Sequence, residues 1–157
     1  MGSLLHEDLI FLDYQAEDTV TLLTELATVL EKKGYVKASY VQAILKREEE
    51  FPTGLNTPGV PLAMPHAAAE HVYKPAVLVA RLQTPVQFKE MGNSGKDVQA
   101  QLIFMLAVTE PKAHLETLSK LMSIFSKEEK LLAVYHSADK KEMLEKLSAI
   151  LEEQRSE

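Results

Sequence analysis

The sequence predicts an α/β sandwich, a β-sheet covered by helices, and three features of it lead there. Apolar residues recur at helical spacing between Val20 and Glu50, and again between Leu115 and Leu151. Between these stretches lie short apolar runs bounded by proline, glycine and charged residues, the pattern of strands. One of them, Leu102 to Val108, is wholly apolar, as a strand buried on both faces requires. Strand order is not legible in such a pattern. The 157 residues contain no internal repeat, low-complexity segment or dividing linker, and domains cluster near about 100–150 residues. A single domain over 1–157 is expected, with a core from about 9 to 151.

Taken in order, Leu9-Ile10-Phe11-Leu12 is a short apolar run bounded by acids and reads as a strand. Val20, Leu23, Leu26, Ala27 and Leu30 then mark a helix, with Glu17 and Asp18 in its first turn, Lys32 and Lys33 in its last, and Gly34 following. That charge order suits the helix dipole, and the glycine suits the position after the C-cap. Ser39-Tyr40-Val41-Gln42 has the form of a capping box opening a helix to about Glu50, with Val41, Ile44 and Leu45 on its buried face. Phe51 to Pro61, with three prolines and two glycines, is loop. Strands are expected at Val60–Met64, Ala76–Leu82, Val86–Phe88 and Val98–Val108. Leu115, Leu118, Leu121, Met122 and Phe125 form one helical stripe, Ser126 is expected to cap a short segment, and Met143, Leu144, Leu147, Ile150 and Leu151 form the last stripe.

Composition excludes several classes of function. There is no cysteine, hence no disulfide, thiolate nucleophile or Cys-based metal site. Net charge is −6 with no basic run, unsuited to the counterion-releasing contacts of non-specific nucleic-acid binding. No apolar run approaches the about 20 residues that span a bilayer, and the first residues lack the basic region of a signal peptide. A cytoplasmic location without membrane insertion is expected. No glycine-rich phosphate loop is present, so no nucleotide or other cofactor is expected. His71 lies five residues after His66, but without a third ligand the pair does not suggest a metal site. His6 and His136 match no motif and read as surface residues, and Met105, Met122 and Met143 fall at core spacing.

Chemistry concentrates in Gly59-Val60-Pro61-Leu62-Ala63-Met64-Pro65-His66-Ala67. A short apolar strand runs into Pro65, which cannot donate to a sheet ladder, and then presents His66. Ala67, Ala68 and Ala69 leave room beside the ring for a docking partner. A neutral imidazole is a good nucleophile near pH 7. By themselves these residues fit a polar strand end equally well.

The segment resembles the active-site signature of the mannitol–fructose class of enzyme IIA, from the bacterial phosphoenolpyruvate-dependent sugar phosphotransferase system. Ala43-Ile44-Leu45-Lys46-Arg47-Glu48 is similar to that family's arginine-bearing helix, and Glu110-Pro111-Lys112-Ala113-His114-Leu115 to its second histidine motif. The resemblance runs from about Leu9 to about Leu151. Glu50-Phe51-Pro52-Thr53-Gly54-Leu55 and Pro85 to Gly92 look most like the galactitol-type branch, whereas Asn56-Thr57-Pro58 departs from the family by bringing a proline into the approach to the strand.

The resemblance implies a three-layer sandwich, a mixed sheet of about five strands flanked by helices, with His66 near one end of the sheet. It implies that His66 accepts a phosphoryl group from phospho-HPr, at Nε2, and passes it to a cysteine of enzyme IIB, which serves a membrane enzyme IIC. In such a site Arg47 is the charge clamp, its planar fork matching phosphate oxygens, and His114 a donor at a helix start. Leu55, Val60 and Met64 are candidate apolar docking contacts. The alternative is a regulatory module whose phosphorylation state signals to protein partners.

Overall fold

The computed structural model describes residues 4–92, 94–109 and 111–155, without the side chains at 111, 113–115, 117, 118 and 150–155. Five strands form one sheet: β1 (Leu5–Tyr14), β2 (Gly54–Leu55), β3 (Leu62–Ala63), β4 (Ala76–Lys89) and β5 (Asp97–Ala107), in the order β1-β4-β5-β3-β2. The sheet is mixed. β1 runs parallel to β4 and β3 parallel to β5, while β4–β5 and β2–β3 are antiparallel. Helices α1 (Thr19–Lys32) and α2 (Ser39–Glu50) bury Leu22, Leu23, Leu26, Ala27, Leu30, Tyr40 and Ile44 against one face. Helices α3 (Pro111–Phe125), α4 (Glu128–Tyr135) and α5 (Lys140–Arg155) cover the other, through Leu121, Ile124, Phe125, Leu131, Val134, Met143 and Leu147. This is the three-layer α/β sandwich.

The wholly apolar run lies in β5, the middle strand, and its residues alternate between the two cores. Ile103, Met105 and Ala107 face α1 and α2; Leu102, Phe104, Leu106 and Val108 face the C-terminal helices. Ala76–Leu82 and Val86–Phe88, expected as two strands, are one strand with a register irregularity between Arg81 and Val86. Pro85 is exposed there, where a proline costs no ladder bond. Val60–Met64 contributes only Leu62–Ala63 to regular strand, because Pro61 and Pro65 flank it.

Helix ends depart from the sequence reading in particular ways. Glu17 and Asp18 precede α1; Asp18 is its N-cap, accepting from Thr21 N–H at 2.7 Å. Gly34, at φ +84°, ends α1 with Tyr35 N–H bonded back to Leu30 O, as in a Schellman motif. The capping box at Ser39 does not form. Ala38 is the N-cap, and Ser39 Oγ pairs with His71 Nδ1 at 2.8 Å. Ser126 does not cap α4 either; its hydroxyl donates to Ser123 O, and Lys127 holds the cap position. Val20 and Met122, expected in buried stripes, are 62% and 41% exposed. No helix among the described residues is long and apolar enough to cross a membrane.

Candidate functional site

β3 is parallel to β5, and after Ala63 the chain keeps following β5. Leu106 N–H donates to Pro65 O at 3.0 Å, and His66 forms an isolated parallel bridge with Leu106. His66 therefore stands where β5 ends, just before the turn into α3. The residue is 9% exposed, and Nδ1 lies 2.8 Å from Met64 O. A carbonyl can only accept, so Nδ1 carries the proton. The neutral ring is then the tautomer whose lone pair is on Nε2.

Arg47 lies in the last turn of α2, exposed, with its guanidinium 5.3 Å from the centroid of the Phe51 ring. Three residues, Glu48 to Glu50, separate it from the loop that leads to β2. The contact described for it is with Phe51, not with His66. His114 belongs to the first turn of α3, which follows β5 and hence the same end of the sheet; its side chain lies outside the described residues. Pro111 opens that helix, where its missing N–H costs nothing.

The docking residues read from the sequence need correction. Val60 and Met64 are 3% and 1% exposed, because alternate residues of this short strand and its flanks face the C-terminal core. Leu55 is half-buried and packs on the same core. Ala67 is buried as well, whereas Ala68 is exposed and Ala69 half-buried. The proline-containing approach is closed on itself: Thr57 Oγ1 donates to Val60 O at 2.7 Å and accepts from Val60 N–H at 3.0 Å.

Two polar residues of this region were not singled out in the sequence. Glu48, beside Arg47, turns inward and is 8% exposed, and Thr53 is 2% exposed. Thr53 N–H and Oγ1–H donate to the two oxygens of the Glu48 carboxylate, each at 2.8 Å. Thr53 Oγ1 in turn accepts from Met64 N–H at 3.2 Å, a donor shared with Thr53 O at 3.3 Å. Burial pushes the Glu48 carboxyl up to about 7, against the opposing pull of the Thr53 hydrogen bonds. A signal was available. Tyr40 and Ile44 are buried at i and i+4 on α2, and the next step along that stripe is Glu48. Tyr40 reaches the site from the same stripe, its hydroxyl donating to Leu106 O at 2.6 Å.

Comparison with known proteins agrees with this architecture. Residues 3–152 match the family model described as phosphoenolpyruvate-dependent sugar phosphotransferase system, EIIA 2. The fructose-specific EIIABC component of Bacillus subtilis is 33% identical over 130 residues, 80% of this chain but 19% of that protein. The galactitol-specific EIIA component of Escherichia coli K12 is 32% identical over 101 residues, 64% of this chain and 67% of that one. The crystal structure of IIA mannitol from Escherichia coli superposes with a TM-score of 0.72 at 28% identity, covering 90% of this chain and 97% of that one. The same enzyme IIA, solved in complex with phosphorylated enzyme IIB, gives 0.71 at 25% identity, covering 93% and 95%. With a family model matched over nearly its whole length and the same sandwich in solved relatives, the chain belongs to the EIIA 2 family of the phosphoenolpyruvate-dependent sugar phosphotransferase system.

Proposed function

We propose that the chain is a cytoplasmic phosphoryl carrier, accepting the group on His66 Nε2 from phospho-HPr and passing it to a cysteine of a galactitol-type enzyme IIB. The observation that carries this reading is the bond from His66 Nδ1 to Met64 O, which leaves the nucleophilic lone pair on Nε2. In the transfer Nε2 attacks phosphorus in line, the N–P bond forms, and the bond from phosphorus to the donor breaks. Positive charge develops on the ring as this happens, so the Nδ1–H···O=C bond strengthens towards the transition state. Arg47 is the candidate clamp for the phosphoryl oxygens, and its exposure leaves the guanidinium available to an arriving group. His114, at the start of α3, is the candidate second donor, from a helix end that favours anions.

Family membership supports the phosphotransfer role, and the enzyme IIB complex of the mannitol relative supports the kind of acceptor. The galactitol-specific relative supports the branch, since two thirds of that protein is matched. Incubation with enzyme I, HPr and phosphoenolpyruvate, read by intact mass, is expected to add one acid-labile phosphoryl group that His66→Ala lacks. In the same assay Arg47→Ala is expected to be labelled and discharged more slowly, with Arg47→Lys only partly restored, because a point charge lacks the bidentate fork. Stoichiometric labelling of His66→Ala would refute the assignment.

A further inference from the structure

The Met64 carbonyl does the work at Nδ1, and what holds Met64 in place lies outside the family motif around His66. Its carbonyl takes the histidine proton, its N–H is held by Thr53, and Thr53 is held at both of its donors by Glu48. On the other side of the peptide, Pro65 O is held by β5 through Leu106 N–H. A continuous hydrogen-bonded path therefore runs from a carboxylate on α2, through the loop before β2, to the imidazole beyond β3.

We propose that Glu48 is a positioning residue for His66, acting through Thr53 and Met64 to aim the carbonyl that fixes the histidine tautomer. This rests on the reading of His66 as the phosphoryl acceptor. Both oxygens of Glu48 accept, which suits the ionised carboxylate. A proton on Oε1 would compete with the Thr53 hydroxyl proton for the same 2.8 Å contact, and the hydroxyl would have to turn away. Thr53 Oγ1 would then accept from Glu48 as well as from Met64 N–H, with its own proton turned elsewhere, and its hold on Met64 would weaken. Since the carboxyl titrates near neutrality, the path loosens within the range where the carrier works.

Glu48 also lines a cavity of about 480 Å³ between α1, α2 and the end of β4, which gives its proton a route to solvent. The charged groups on that cavity are Lys89 of β4, already paired with Asp97 at 2.7 Å, and Glu49 on the same helix. α1 contributes Thr19, Val20 and Leu23, none of which titrates in this range. Gln87 and Phe88 complete the β4 wall. Burial, not a neighbouring charge, is the leading cause of the raised affinity for a proton.

The test uses the full chain with ¹⁵N-labelled histidine. In the wild type the His66 ring is expected to show a single tautomer with a protected Nδ1–H. Glu48→Gln and Thr53→Val should mix the tautomers and slow phosphoryl transfer about tenfold, the usual scale for losing such an outer partner, while Thr53→Ser restores both. Between pH 6 and 8 the wild-type transfer rate should fall, as pH drops, through an ionisation that Glu48→Gln lacks. Thermal melts confirm that each variant is folded, and if Glu48→Gln is not, the Thr53→Val and Thr53→Ser pair decides. Wild-type ring spectra in folded Glu48→Gln or Thr53→Val, or a wild-type pH profile of transfer in Glu48→Gln, would overturn the inference. If the wild type takes no phosphoryl group on His66, the functional reading fails, while the ring spectra still decide the path to Glu48.

Discussion

Arg47 and Glu48 are adjacent on α2 and differ in everything but position: one reaches out over Phe51, the other turns into the protein. The buried carboxyl has a consequence for stability. Its folded value of about 7 lies above the ordinary 4.5, so between these values the folded state holds the proton more tightly than the unfolded chain. Folding stability should therefore fall as pH rises from about 4.5 to 7 and stay low above it. At about 1.4 kcal/mol per pH unit the cost reaches about 3 kcal/mol, as an upper figure. Urea unfolding of the wild type and Glu48→Gln at pH 5 and pH 8 measures it. The wild type should lose stability across that interval and the variant much less; equal losses would show that Glu48 is not the group responsible. Glu48 was missed in the sequence because a glutamate beside Arg47, followed by two more, reads as a solvated helix end. Only the stripe it shares with Tyr40 and Ile44 says otherwise.

Among the elements, β2 is two residues long yet holds the loop that carries Thr53. It is pressed between β3 and the far end of the β4–β5 hairpin: Gly54 bridges Glu90, and Met91 N–H donates to Gly54 O at 2.8 Å. A Cβ on Gly54 would stand 2.6 Å from Lys89 O and 2.9 Å from Val98 Cγ2. The carbonyl belongs to strand backbone and cannot swing aside. Gly54→Ala should therefore cost roughly 1–3 kcal/mol, the scale of overpacking, and lower the melting temperature accordingly. A melting temperature equal to wild type would show that β2 can be displaced freely. Because Thr53 precedes Gly54, the same variant should disturb the His66 ring spectrum. Against the C-terminal helices Arg81 performs a comparable anchoring task, donating to Tyr135 O and Ser137 O at 2.8 and 2.6 Å and so closing the C-terminus of α4.

For the molecule as a whole, the sheet order places β3 and β2 together at one edge, with β1 at the other. The candidate site belongs to the β3–β5 side, where α2, the β2 loop and the start of α3 converge. The chain spans 19% of the fructose-specific relative, a protein that joins several components, and 67% of the galactitol-specific one. On the proposed function the phosphoryl group is identical for every acceptor, so discrimination lies in docking free energy. The contact must also be transient, which argues for less than about 1,200 Å² of buried surface. Single-turnover transfer from the phosphorylated chain is expected to be fastest to a galactitol-type enzyme IIB domain and slower to fructose- and mannitol-type domains. Equal rates across the panel, or a fructose-type preference, would remove the galactitol assignment. No transfer to any of them, with His66 still phosphorylated, would favour the regulatory alternative.

Much of this was legible in the sequence because it depends on neighbours a few residues apart. The periods of α1 and α5, the apolar run of β5, the glycine after α1 and the Pro65-His66 ending are local, and local sterics determine them. What decides the chemistry of His66 is not local. Its position beside Leu106 comes from strands 40 residues apart, and the acid two steps behind Met64 comes from another layer. The same distinction explains the failed caps: Ser39 had the right spacing to serve its own helix, but His71, 32 residues away, offered its hydroxyl a partner. Sequence patterns report what a residue can bond within one turn. Which of several bonds it makes depends on which layer folds against it, and that is settled only when the sheet brings α2, β3 and β5 together.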